Sequence, residues 1–569
     1  MKGARRRAPG RIRLRAVAGD PVGRGGPVPD VHDAPPPRSS AGPSKAWAGP
    51  SPWPPAPPRR GTKISPAEPA AASVATLWCA LATGVFSASL LGDGAGLNLL
   101  IVAVPAALGA YFAARAAGRR LRPWTLVWAL GGVALLAVPA LRDAGWPTFL
   151  AVVSSLALAS LALNGGRTWP GVLLGPLGLP GSLGTGMAWG WGGLRTHAAA
   201  SNGRVAPILR TGAVAVLLLV VFGALFAGAD AAFADLLSGL IPDASVDDGP
   251  WRFLLFLLGL VGALAAARLT AAPLHWDRLE IRPGRARSRW EWALPLVVLN
   301  LLFATFIAVQ LAVLFGGYDK VLSETGLTYS EYARQGFWQL LFATLLTLAV
   351  IALATRWAPR STAGDRTLVR AVLGTLCVLT LVVVASALRR MDLYVDAYGL
   401  TRLRVSVAAM ELWLGLVIVL IMMAGAYGVK WLPRAIAASA AAAVLAFGLA
   451  SPDGLVAERN VQRYERTGKI DIDYLQELSA DAVPALDGLP EPLRTCALEE
   501  IARDLEERDD SWYDTSWGEH RARGILAEHG VADEVLCDAI DSDRFDDHGD
   551  RDEYGEWEQE GELGPSDDY

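Results

Sequence analysis

Apolar runs of about twenty residues recur along this chain, and no other feature constrains its folding as tightly. At 1.5 Å per residue, about twenty helical residues cross the roughly 30 Å hydrocarbon core of a bilayer. Open backbone in lipid leaves N–H and C=O groups unsatisfied, so runs of this length read as helices. From residue 73 about eleven follow one another: roughly 73–91, 97–116, 124–141, 146–163, 208–229, 253–270, 292–315, 337–355, 368–388, 407–427 and 432–450. The expected fold class is therefore all-α, a polytopic transmembrane helical bundle followed by a small helical C-terminal extramembrane module. A 52% hydrophobic content against 19% charged residues lies outside the ordinary soluble range.

Charge orders the chain around that bundle. The net charge of -4 conceals an asymmetry. Roughly 35 acids face 11 bases from residue 451 onward, about -24, which leaves about +20 upstream. If the N-terminus is cytoplasmic, the alternate inner connections hold most of the loop Lys and Arg, as the positive-inside rule requires. An odd number of spans then places the C-terminal module outside. The segment 169–194, apolar but interrupted by Gly and Pro, reads as an interfacial, surface-lying connection in preference to a re-entrant loop.

Four regions follow. Residues 1–72 are basic and Pro-rich, have no run long enough to bury a core, and are expected to be disordered. Their arginines read as a cytoplasmic anchor ahead of the first span, so no nucleic acid is expected as a partner. The transmembrane domain covers 73–450. Residues 451–540 place Leu, Ile, Val and Ala at helical spacing, with Pro484, Gly488 and Pro490 marking a break. The acidic tail 541–569 is too poor in aliphatics to fold alone. Cys79 and Cys377 lie in apolar spans, which leaves Cys496 and Cys537 as the plausible pair.

Chemistry concentrates at 387–411, where ALRRMDLYVDAYGLTRLRVSVAAME sets a dense block of Arg, Asp and Tyr between two apolar runs. Charges at bilayer depth need partners or water. The ligand or structural ion-pair candidates are Arg389, Asp392, Tyr394, Asp396, Tyr398, Arg402, Arg404 and Glu411. Asp392, Tyr394, Asp396 and Tyr398 alternate, which suggests one side of a short extended strand, with a turn at Gly399. Arg402 or Arg404 is expected to pair with Asp392, Asp396 or Glu411. Arg334, in YARQGF, gives a second candidate at a span end. His197 and His275 stand in no metal-binding pattern, no nucleotide loop or nucleophile elbow is present, and no catalytic residue, metal or cofactor is assigned.

YARQGFWQL from Tyr332, MDLYVDAYGLTRLR from Met391 and RNVQRYERTGKIDIDYLQELSADAVPAL from Arg459, in that order, resemble a family of bacterial multipass membrane proteins catalogued only as a domain of unknown function. The resemblance implies a helical membrane fold and no reaction. Two functional classes are expected. The first is a sensor, scaffold or envelope assembly or regulatory factor, with membrane lipids around its spans and a protein partner at an extracytoplasmic C-terminal module. The alternative is a transporter or lipid-handling protein that uses the block from Asp392 to Glu411. Nothing in the sequence sets an oligomeric state.

Overall fold

The computed structural model describes residues 69–200 except 93, 120 and 121, scattered positions between 211 and 233, and then 249–279, 288–316, 337–358, 362–508, 511–531 and Cys537. The basic N-terminal segment up to residue 68, most of the run expected at 208–229, the YARQGF stretch with Arg334 and the tail from 541 lie outside the described residues.

The described residues are helical where the apolar runs require. They are α1 (Val74–Leu90), α2 (Asn98–Ala116), α3 (Pro123–Leu136), α4 (Val138–Leu141), α5 (Gly145–Asn164), α6 (Trp169–Leu174), α7 (Leu183–Ala200), α8 (Gly249–Ala271) and α9 (Arg289–Gly316). There follow α10 (Phe337–Trp357), α11 (Ala363–Tyr398), α12 (Arg402–Tyr427), α13 (Leu432–Leu449), α14 (Pro452–Thr467), α15 (Ile472–Gln476), α16 (Val483–Leu486), α17 (Leu493–Glu507) and α18 (Trp517–His529). Local chemistry fixes their ends. Pro123 and Pro452 open α3 and α14, where a missing N–H costs nothing. Thr362 and Asp365 close a capping box at the start of α11, and Asp365 also pairs with Arg289 at 2.7 Å, tying α11 to α9.

Among the described residues nine helical segments are long and apolar enough to cross a membrane, with α3 and α4 forming one of them, and α1 is a shorter apolar helix of 17 residues. Only 17% to 39% of the apolar window of a span is buried inside the protein. Leu130, Leu301, Leu346 and Leu412 all point outward, an arrangement that lipid satisfies and water does not. The protein is a multipass membrane protein.

The spans pack in three groups. Helices α1, α2, α7 and α8 meet around Ala80, Ala263 and Leu264. Helices α3, α5 and α13 bury Trp128, Leu135, Ala151 and Leu158. Helices α9 to α12 enclose Trp292, Leu296, Ile351, Leu376 and Ile418, and α13 links the last two groups by also packing on α12. The interrupted segment 169–194 differs from the surface-lying connection expected of it. It forms α6, two 3-10 turns and α7, and α7 packs along α8 through Gly186 and Gly190, while Gly193 lies against Ala72 ahead of α1. Small residues at that spacing let two helices approach closely.

Helices α14 to α18 surround a separate apolar cluster that includes Val456, Ala457, Leu475, Leu486, Leu498 and Ile501. Cys496 and Cys537 form a disulfide with their Cα atoms 5.6 Å apart, as the sequence led us to expect. The module sits where α4 ends and α5 begins, where α11 ends and α12 begins, and directly after α13.

Candidate functional site

The block from 387 to 398 is helical to its last residue, a correction to the extended strand expected there. Met391 and Val395, four apart, pack with Val407 and Leu414 of α12, and this apolar i, i+4 pair carries α11 beyond its span. Residues four apart share a face on a helix as well as on a strand. The rings of Tyr394 and Tyr398 accordingly lie 5.0 Å apart, while Asp392 and Asp396 are exposed. Arg389 reaches Asp392 at 3.5 Å in an exposed i, i+3 pair, a contact of little energetic weight.

The turn expected at Gly399 is present, and glycine is required there twice over. Its φ is 83°, and a Cβ would lie 2.3 Å from Asn460 Oδ1. Thr401 then caps α12 by accepting a hydrogen bond from the Arg404 N–H.

Arg402, on the first turn of α12, faces the module. Its Nε donates to Asp453 Oδ1 at 2.8 Å and its Nη2 to Asp453 Oδ2 at 2.7 Å, a two-pronged pair. Nη2 also donates to the Glu477 carbonyl at 2.7 Å, and the Arg402 N–H donates to Tyr474 Oη at 2.7 Å. The partner is therefore Asp453, not Asp392, Asp396 or Glu411. The Gly399 turn aims Arg402 across to α14, whereas helical geometry turns Asp392 and Asp396 outward. Arg404 lies over the Tyr394 ring, 4.3 Å from its centroid, and donates to the Tyr398 and Gly399 carbonyls. From the module, Asn460 Nδ2 donates to the Leu400 carbonyl at 2.8 Å and Arg463 Nη2 to the Ala397 carbonyl at 2.6 Å. The module thus satisfies the Ala397 carbonyl in the last turn of α11 and the Leu400 carbonyl just beyond it, while Arg404 takes that of Tyr398.

Glu411 stands apart from this cluster. It is 0% exposed, on the α12 face between Val407 and Leu414, and neither carboxyl oxygen has a hydrogen-bond partner among the described residues.

The module is also seated at two further places, the turn at Asp143 and the start of α2, and neither was visible in the sequence. Asp143, in the turn between α4 and α5, accepts from the Ala480 N–H at 3.2 Å, and its carbonyl accepts from Ser479 Oγ. Arg508 bridges Asp143 at 3.6 Å and Glu519 at 2.8 Å. Burial, and then the charge of Glu519, push the Asp143 carboxyl up to about 6. At the start of α2, the Asn98 N–H donates to the Tyr513 carbonyl at 2.6 Å. The sequence signal for Asp453 is only its place after Ser451 and Pro452 at a helix start, a position that explains its residue type and leaves its partner open.

The arrangement can bind and hold. It brings together Arg402, Asp453 and Tyr474 in one set and Asp143, Arg508 and Glu519 in another, with Ser479 bonded to both, and it leaves Asp392 and Asp396 outside. Comparison with curated proteins and with solved structures gives no match. A family model described as Domain of unknown function (DUF4153) matches residues 129–489, which covers more than half of the chain and includes Asp143, Arg402, Asp453, Tyr474 and Ser479. The chain belongs to that family of proteins with a domain of unknown function.

Proposed function

We propose that this protein is a membrane-embedded sensor or scaffold whose C-terminal helical module, seated on the span ends outside the cytoplasm, offers its exposed surface to a protein partner. The observation that carries this reading is the Arg402–Asp453 pair. It fastens the first helix of the module to the turn between two spans, so that a load on the module reaches α11 and α12 directly. The alternative use of the block for transport or lipid handling has less support, because Arg402 and Arg404 are engaged by Asp453, Tyr394 and backbone carbonyls.

Two observations support the orientation. The basic connections between α2 and α3, α5 and α6, and α10 and α11 join the span ends opposite the module, with the arginine-rich turn between α11 and α12 as the exception, and this suits a cytoplasmic N-terminus. The Cys496–Cys537 disulfide suits an oxidising compartment. The test is photocrosslinking in native membranes from exposed module positions such as Glu500 and Trp512. A discrete protein adduct that disappears in Asp453→Arg is expected. Absence of any adduct from these positions, in a protein that remains folded, would remove the partner from the account.

A further inference from the structure

Where the module meets the span ends, a cavity of about 280 Å³ is walled by Leu141 and Leu449, from the last turns of α4 and α13, and by Arg142, Asp481, Pro484, Trp517, Gly518 and Arg521. It is separate from the block around Arg402. Its charge balance is two guanidinium groups against one carboxylate, and that carboxylate is already committed. Asp481 is 8% exposed, accepts a hydrogen bond from Ser451 Oγ, and lies so close to Gly518 that a Cβ there would stand 2.0 Å from Oδ1.

The two arginines are the opposite case. Arg142 is half-buried within electrostatic reach of Asp481, and Arg521 is exposed on α18. Neither guanidinium donates a hydrogen bond or closes an ion pair among the described residues. Each therefore presents a fork of N–H donors that matches a phosphate oxygen pair. The remaining walls are apolar at the depth where two spans end. Trp517 is 64% exposed at the rim, the amphipathic ring favoured at a membrane interface. Pockets for whole drug-sized ligands run from about 300 to 1,000 Å³, so a cavity of this size suits a headgroup with its tails left in the bilayer.

We propose that Arg142 and Arg521 form a binding site for a phosphate group at the membrane surface, with Trp517, Leu141 and Leu449 holding the glycerol and first acyl carbons of a phospholipid. This inference does not depend on the sensor reading or on which side of the membrane the module occupies.

The test uses the full chain in mild detergent, with bound phosphatidylglycerol counted by native mass spectrometry and challenged by phosphatidylcholine or inorganic phosphate. Wild type is expected to retain phosphatidylglycerol, and Arg142→Gln with Arg521→Gln to lower its occupancy about tenfold or more. Arg503→Gln, at an exposed ion pair of the module, should leave it unchanged. If inorganic phosphate binds in an arginine-dependent way and the lipid does not, the phosphate site stands and its source is soluble. Should the double variant fail to fold, Arg521→Gln alone, at an exposed helix position, is expected to show a reduced occupancy. Equal phosphatidylglycerol and phosphate binding in wild type and the folded arginine variants would overturn the proposal.

Discussion

The Asp143 carboxylate accepts a hydrogen bond from the Ala480 N–H at 3.2 Å, joining a turn between two spans to a residue more than three hundred positions further along the chain. The burial of that carboxyl makes the seating of the module sensitive to pH. Burial first, and the charge of Glu519 second, raise the Asp143 carboxyl to about 6, with Asp481 adding to the shift and Arg508 and the Ala480 hydrogen bond opposing it. A raised acid holds its proton more tightly in the folded protein. Its contribution is complete below about pH 4 and is lost as pH rises through about 6, up to about 3 kcal/mol for a shift of this size. Thermal unfolding of wild type and Asp143→Asn should therefore show a wild-type loss between about pH 4 and 6.5 that the variant lacks. Identical pH slopes would contradict this.

The disulfide gives a thiol count. Cys496 and Cys537 are bonded, whereas Cys79 and Cys377 are free. Maleimide labelling of the denatured, unreduced protein is expected to modify Cys79 and Cys377 alone, and reduction should add the other two. Reduction is also expected to destabilise the module by roughly 2–4 kcal/mol. Labelling at all four positions before reduction would remove the crosslink, and with it one support for the orientation.

Glu411 invites a substitution that would be harmful at most acidic positions. Its carboxyl is buried between Val407 and Leu414 without a hydrogen-bond partner among the described residues. Replacing an uncompensated buried polar group by an apolar one of similar volume is often neutral or stabilising. Glu411→Met should leave the detergent melting temperature unchanged or raise it, while Glu411→Ala should lower it by opening a cavity. A large loss of stability in Glu411→Met would point to a partner for the carboxyl.

The spans and the block read from the sequence to different degrees. An apolar run of twenty residues leaves the backbone one way to satisfy itself in lipid, so the bundle was legible wherever such a run occurs. The stretch from Asp392 to Tyr398 was misread because residues at i and i+4 share a face on both a strand and a helix. Met391 and Val395, which decide the matter, look like ordinary apolar residues until Val407 and Leu414 stand opposite them. Gly399 was legible because its turn is local. Asp453 was not, because it lies 51 residues from Arg402, and sequence proximity favoured Asp392, Asp396 and Glu411.

The central claim is that the charged turn between α11 and α12 is a seat for the helical module. The most direct measurement is a double-mutant cycle on Arg402→Ala and Asp453→Ala, read by amide hydrogen exchange of α14 and α15 in the full-length protein. Asp453 is 4% exposed and Arg402 reaches it through two hydrogen bonds. Loss of Arg402 should therefore strand a buried carboxylate, and either single variant should raise exchange in both helices. The account predicts a coupling energy of about 2 kcal/mol or more, with the double variant much less harmed than the sum of the singles. Additive effects, or exchange in α14 and α15 that ignores both substitutions, would contradict it.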